Sequence, residues 1–112
     1  HASRSADQRP VIGTVEFESM KSGAVLVNLA RGDMVDEAAL VDALKSGKLS
    51  GAGLDVFSTE PYSGPLCDFE QVILTPHSAT NTVETRTAME MKCVENALGF
   101  LQGKLPSACR VL

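Results

Sequence analysis

Four side chains in this 112-residue sequence could do chemistry together: Arg31, Asp55, Glu60 and His77. An imidazole exchanges a proton near neutral pH. A carboxylate on one ring nitrogen fixes its tautomer and favours the imidazolium, leaving the other nitrogen to act on a substrate. A guanidinium grips a carboxylate in two-pronged fashion. The set would bind an anionic substrate and move a proton. Each residue also has a plainer reading. A histidine like His77, after Pro76 at the end of an apolar run, is more often a structural hydrogen-bonder. An arginine at a strand end is more often a surface residue. A carboxylate such as Asp55, inside Gly53-Leu-Asp-Val-Phe57, must be paired or must emerge toward polar ligand atoms.

Position raises the set above those readings. Val25-Leu-Val-Asn-Leu-Ala-Arg-Gly32, Leu54-Asp-Val-Phe-Ser-Thr-Glu-Pro61 and Ile73-Leu-Thr-Pro-His-Ser-Ala79 each begin as a buried strand and stop at a charged or titratable residue. In an open parallel sheet the carboxyl ends of the strands line the ligand crevice, so Arg31, Asp55 with Glu60, and His77 are expected to converge there.

The elements that position them follow from pattern. Thr14 is expected to cap a short helix, Val15 to Met20. Ala24–Leu29 reads as a strand covered on both faces. Asp36 caps a helix, Glu37–Ser46, with Val35 and Leu40 at staple positions and Gly47 after its end. Ser50–Val56 and Val72–Thr75 are further strands, separated by a loop over 58–70. A long helix opens at Asn81 or Thr82 and runs to about Gln102, closed by Gly103. Its two apolar rows are Met91, Val94, Leu98, Leu101 and Met89, Cys93, Ala97, Phe100, so Cys93 is expected to be a buried thiol. The order β-α-β-loop-β-α gives α/β class: a partial Rossmann-type parallel sheet with a long C-terminal helix. Gly51-Ala-Gly53 imitates a dinucleotide fingerprint, but Val56 stands where its last glycine belongs and no helix follows at once. These glycines read as a close-packed strand entry.

Composition narrows the classes. A net charge of −4 with scattered Lys and Arg argues against nucleic acid or an anionic membrane as main partner. No apolar run approaches the ~20 residues that span a bilayer. The three cysteines, Cys67, Cys93 and Cys109, form no CxxC and support neither a metal site nor a redox pair. A reducing, cytoplasmic setting is expected.

Taken jointly, Met20-Lys-Ser-Gly-Ala-Val-Leu-Val-Asn-Leu-Ala-Arg-Gly32, Val35-Asp-Glu-Ala-Ala-Leu40, Leu44-Lys-Ser-Gly-Lys-Leu49, Ala52-Gly-Leu-Asp-Val-Phe57, Glu60-Pro61 and Leu74-Thr-Pro-His77 resemble the NAD-dependent D-isomer-specific 2-hydroxyacid dehydrogenases, the family of phosphoglycerate, glycerate and formate dehydrogenases. The resemblance runs from His1 to Gly103. It implies that residues 1–80 are the second half of an NAD-binding Rossmann domain, that 81–103 are a helix returning toward a substrate domain, and that 104–112 are a tail. It also implies roles. Arg31 binds the substrate carboxylate and keto oxygen, His77 is the acid/base, and Glu60 orients and charges His77. Asp55 contacts the nicotinamide amide, with the Leu29, Ala30 and Arg31 backbone and with Ser78 and Ala79. The implied cofactor is NAD, with NADP open because the ribose-reading acid is absent from the sequence. The implied substrate is a small 2-hydroxy or 2-keto acid. Ser3-Arg4 and Gln8 depart from the Pro-Leu pair and the threonine common in the family.

The resemblance implies an oxidoreductase, here its C-terminal portion, whose missing N-terminal half would be a partner and which is expected to be a homo-oligomer. Two other readings stay open: a catalytically silent, corepressor-like binding module of the same fold, and an inactive structural fragment.

Overall fold

A computed structural model describes residues 9–104. His1, Ser3, Arg4, Gln8 and Cys109 lie outside the described residues. The chain divides into two compact units, the first ending at Ala79 and the second beginning at Thr80.

The first unit is built on three parallel strands, β1 (Ala24–Asn28), β2 (Leu49–Leu54) and β3 (Val72–Leu74), in the order β1-β2-β3. Its helices are α1 (Thr14–Ser19) and α2 (Glu37–Lys45). Gly13, rather than Thr14, stands at the N-cap of α1, and its amide donates to Glu16 Oε2 at 2.8 Å. The reach of a glutamate three residues on satisfies that donor without a capping hydroxyl. The predicted cap of α2 is present: Asp36 Oδ1 accepts from the Ala38 and Ala39 amides. Val35 and Leu40 flank it, both buried. Gly47 follows α2 in the left-handed region, φ +72°.

The strands are shorter at their ends than the apolar runs, because Leu29, Val56 and Thr75 lie past the last ladder pairs. Two 3₁₀ turns, Gly32–Met34 and Pro65–Asp68, occupy stretches that carry no regular helical period. Leu40, Leu49 and Leu66 are fully buried at the centre of a core with Phe17, Leu26, Leu44, Leu54 and Phe57. β1 is not covered on both faces as its composition suggests. Leu26 and Asn28 point into the core, while Val25 and Val27 are exposed, as is Ile73 on β3. Within this unit α2 packs on β2 and α1 on α2, which covers one face only. Gly51 is explained by close approach: a Cβ there would meet the Gln71 carbonyl at 2.7 Å, on the β2–β3 seam.

The second unit contains α3 (Val83–Leu101). Thr82 caps it, its hydroxyl accepting from the Thr85 amide at 3.1 Å. No residue of α3 is buried, so Cys93 is an exposed thiol rather than a core one. A lone helix cannot cover its own apolar arc. Among the described residues no helix is long and apolar enough to cross a membrane.

Candidate active site

The strand ends carry the site. At the end of β1, the Asn28 side chain closes the turn that presents Arg31: its Oδ1 accepts from the Ala30 amide at 3.0 Å and its Nδ2 donates to the Arg31 carbonyl at 2.9 Å. An asparagine that bonds its own backbone two and three residues on behaves as a turn-former. Arg31 Nη1 donates to the Ala30 carbonyl at 2.7 Å, so its guanidinium lies along its own strand end.

At the end of β2, Asp55 is 1% exposed and its carboxylate is heavily used. Oδ1 accepts from Thr75 Oγ1 at 2.6 Å and from the Ser78 amide at 2.8 Å, and Oδ2 accepts from the Ala79 amide at 2.8 Å. Burial pushes the Asp55 carboxyl up. The Thr75 hydroxyl, the two amides and the nearby His77 outweigh that push and hold it below its ordinary value. Asp55 is therefore ionised at neutral pH and acts as an acceptor only.

His77 sits between those anchors with φ +52°, in the left-handed region. For a residue with a Cβ this conformation costs about 1–2 kcal/mol, which the surrounding hydrogen bonds offset. The His77 amide donates back to the Thr75 carbonyl at 3.0 Å across Pro76, closing a three-residue turn. Glu60 meets it from the loop after β2. Glu60 Oε2 lies 2.9 Å from His77 Nδ1, and Glu60 Oε1 accepts from the Phe57 amide at 3.0 Å. The bond to His77 and the one from Phe57 hold the Glu60 carboxyl below its usual range, against a smaller push from desolvation. An ionised Glu60 can only accept, so Nδ1 carries the proton of that contact and Nε2 is left for exchange with a ligand.

A cavity of about 580 Å³ opens beside this pair, lined by Phe57, Glu60, Tyr62, Leu74, Pro76 and His77 among others. The Phe57 and Tyr62 rings stack with centroids 4.5 Å apart. The structure thus brings Glu60 and His77 into contact and ties Asp55, Ser78 and Ala79 into one turn. Arg31 ends the neighbouring strand and does not line the cavity. Among the described residues no cluster of three or more His, Cys, Asp or Glu could hold a metal.

Three supporting residues escape a reading of the sequence. Asn28 looks like an interruption of an apolar run. Thr75 looks like a strand residue with ordinary β propensity. Glu37 looks like a helix N-terminal acid, yet its Oε1 accepts from the Ser58 amide at 2.7 Å and from Ser58 Oγ at 2.9 Å, tying the Glu60 loop to α2. For Asn28 alone a signal exists, a polar residue where the strand should be buried.

Residues 1–79 match the family model described as "D-isomer specific 2-hydroxyacid dehydrogenase, NAD binding domain". A glyoxylate reductase from Aeropyrum pernix is 45% identical over 108 residues, covering 95% of this chain and 32% of that protein. The crystal structure of a glyoxylate reductase from Paecilomyes thermophila is 41% identical with a TM-score of 0.83, over 95% of this chain and 33% of that one. An NADPH-dependent glyoxylate/hydroxypyruvate reductase from Sinorhizobium meliloti, solved with NADP and malonate, is 39% identical with a TM-score of 0.77, over 89% of this chain and 32% of that one. This chain spans about a third of the length of these relatives. With its parallel sheet and the match over residues 1–79, it belongs to the D-isomer-specific 2-hydroxyacid dehydrogenase family, in the NAD-binding domain.

Proposed function

We propose that this chain is part of an oxidoreductase that moves a hydride between a nicotinamide cofactor and a D-2-hydroxy acid or its 2-keto acid. The observation that carries the reading is the 2.9 Å contact between His77 Nδ1 and Glu60 Oε2 at the carboxyl ends of parallel strands. When bound, the reduced cofactor supplies the hydride to the carbonyl carbon. His77 gives a proton from Nε2 to the carbonyl oxygen, and takes it back in the reverse direction. Glu60 holds the ring and stabilises its charge. Arg31 turns outward to grip the substrate carboxylate and the keto oxygen. The Leu29–Arg31 backbone, Asp55, Ser78 and Ala79 form the nicotinamide side of the site. The residues fit that group through Asp55, whose buried, ionised carboxylate is bonded by the Ser78 and Ala79 amides and so fixes the backbone beside His77 on that side. The family description names NAD. NADP stays open, and the complex of the Sinorhizobium meliloti relative supports keeping it so.

Glyoxylate and hydroxypyruvate are the substrates to try first. The test is to mix the protein that carries this segment with each of them and with NADH or NADPH, and to follow loss of reduced cofactor. Turnover supports the reading. Cofactor binding without turnover on any short 2-keto acid would favour the silent binding module instead. Arg31→Lys should lower kcat/KM for the keto acid by about 10- to 100-fold, because a charged hydrogen bond is worth about 1.5–3 kcal/mol and an ammonium cannot make two in parallel. An unchanged kcat/KM would remove Arg31 from the site.

The 112 residues by themselves should bind NAD negligibly. A pyrophosphate is held by backbone N–H groups at a helix N-terminus behind a glycine-rich turn, and no such fingerprint occurs in the sequence. Calorimetry showing micromolar NAD binding by this chain alone would contradict the assignment of its half-site. The exposed Val25, Val27 and Ile73 support burial of this sheet face by a further part of the protein or by a second copy. The free thiols Cys67 and Cys93 support a reducing, cytoplasmic setting.

A further inference from the structure

We propose that Thr75 is a positioning residue for His77, setting the imidazole against Glu60 through its hydroxyl bond to Asp55 and its carbonyl bond from the His77 amide. The inference rests on the dehydrogenase reading for its kinetic consequence, though not for its geometry. Thr75 is fixed at three points. Its amide donates to the Leu54 carbonyl at 2.9 Å, which holds it to the end of β2, and its carbonyl accepts the His77 amide at 3.0 Å. Its hydroxyl has one proton and two acceptors in range: Asp55 Oδ1 at 2.6 Å and the Leu54 carbonyl at 3.5 Å. The short contact to a carboxylate is the strong one, so the proton goes to Asp55.

The consequence is a closed frame around one residue. Before His77, Thr75 binds both Asp55 and the His77 amide. After His77, the Ser78 and Ala79 amides bind the same Asp55 carboxylate at 2.8 Å each. His77, in the left-handed region at φ +52°, is held by these bonds on both sides. Its ring is held by Glu60 Oε2. With the Thr75 hydroxyl removed, Asp55 loses the one of its three donors that lies before His77, and its carboxylate no longer ties the two flanks of the turn together. The Thr75 hydroxyl bonds to Asp55 and the ring Nδ1 of His77 to Glu60, so the influence of Thr75 passes through the backbone and Asp55.

The experiment compares Thr75→Val and Thr75→Ser in the full-length protein. Valine keeps the shape and removes the hydroxyl, whereas serine keeps the hydroxyl. A displacement of about 1 Å at a reacting group costs on the order of 100-fold, so Thr75→Val should lower kcat by about 10- to 100-fold. Thr75→Ser should recover most of that loss. In parallel, ¹⁵N-histidine NMR follows the His77 Nδ1–H signal, assigned by its loss in His77→Asn. It should be present in the wild type and in Thr75→Ser and broadened away in Thr75→Val. If Thr75→Val does not fold, Thr75→Cys against Thr75→Ser carries the same comparison, because the thiol is a weak donor. Equal kcat in the hydroxyl-free variant and the wild type, or a sharp Nδ1–H signal in that variant, would overturn the proposal. A wild-type protein without dehydrogenase activity overturns the functional reading alone, and the NMR comparison still decides whether Thr75 positions His77.

Discussion

His77→Asn in the full-length dehydrogenase should lower kcat by about 10²–10⁴-fold, the usual worth of a positioned general acid, while cofactor affinity stays close to that of the wild type. Asparagine is the informative replacement because the backbone at this position has φ +52°, a conformation that asparagine adopts more readily than other residues with a Cβ. Alanine would remove the imidazole and strain the turn at once, and the two losses could not be separated. The variant keeps the amide that binds the Thr75 carbonyl, and therefore the frame that holds Asp55, Ser78 and Ala79. Steady-state kinetics with the preferred keto acid, together with cofactor titration and a thermal melt, would check this. Near-normal turnover across pH in a folded variant would rule out His77 as the proton donor. A large fall in cofactor affinity matching the fall in kcat would instead place His77 in binding.

What the sequence could convey about this site depended on whether a residue's role was local. The N-cap at Asp36 and the turn after α2 are decided within a few residues, so pattern alone identifies them. The pairing of Glu60 with His77 is legible for a different reason. Two titratable residues that follow adjacent parallel strands have nowhere else to go than the same end of the sheet. The service of Asp55 was not legible. A carboxylate ending a strand could have faced a ligand, and only the fold reveals that three donors from residues 75–79 converge on it. Glu37 was hidden in the same way, since its partner Ser58 is twenty-one residues distant. The exposed face of β1 marks a third kind of miss. Val25 and Val27 have the composition of a doubly covered strand, and composition records what a strand needs in the whole molecule rather than what lies within 79 residues.

Gly32→Ala should be the most damaging small substitution in the first unit, and its effect should reach the dyad although Gly32 touches neither member. A Cβ at Gly32 would fall on the carbonyl of Phe57 and close to the amide of Ser58. Both obstacles are backbone, so no side-chain rotation relieves the clash and the segment must move. Overpacking of this kind typically costs about 1–3 kcal/mol and sometimes more; the backbone nature of the contact puts the expectation at about 3 kcal/mol or above. The displaced segment carries the Phe57 amide that holds Glu60 Oε1 and the Ser58 groups that bind Glu37. Glu60 should therefore lose its mooring, and kcat should fall beyond what the lost stability explains at temperatures where the variant remains folded. Gly53→Ala is the matched control. It lies on β2, where an added Cβ meets only Val27 Cγ2 at 3.9 Å, an ordinary contact. Replacing that glycine should cost much less than Gly32→Ala, since its neighbour within this unit is a side chain at van der Waals distance rather than backbone and alanine loses less backbone freedom on folding. Denaturant midpoints of the two variants in the full-length protein make the comparison. If Gly32→Ala shifts the midpoint no more than Gly53→Ala, the close approach between the ends of β1 and β2 is not a constraint on this fold, and the account of how Glu60 is held would fall with it.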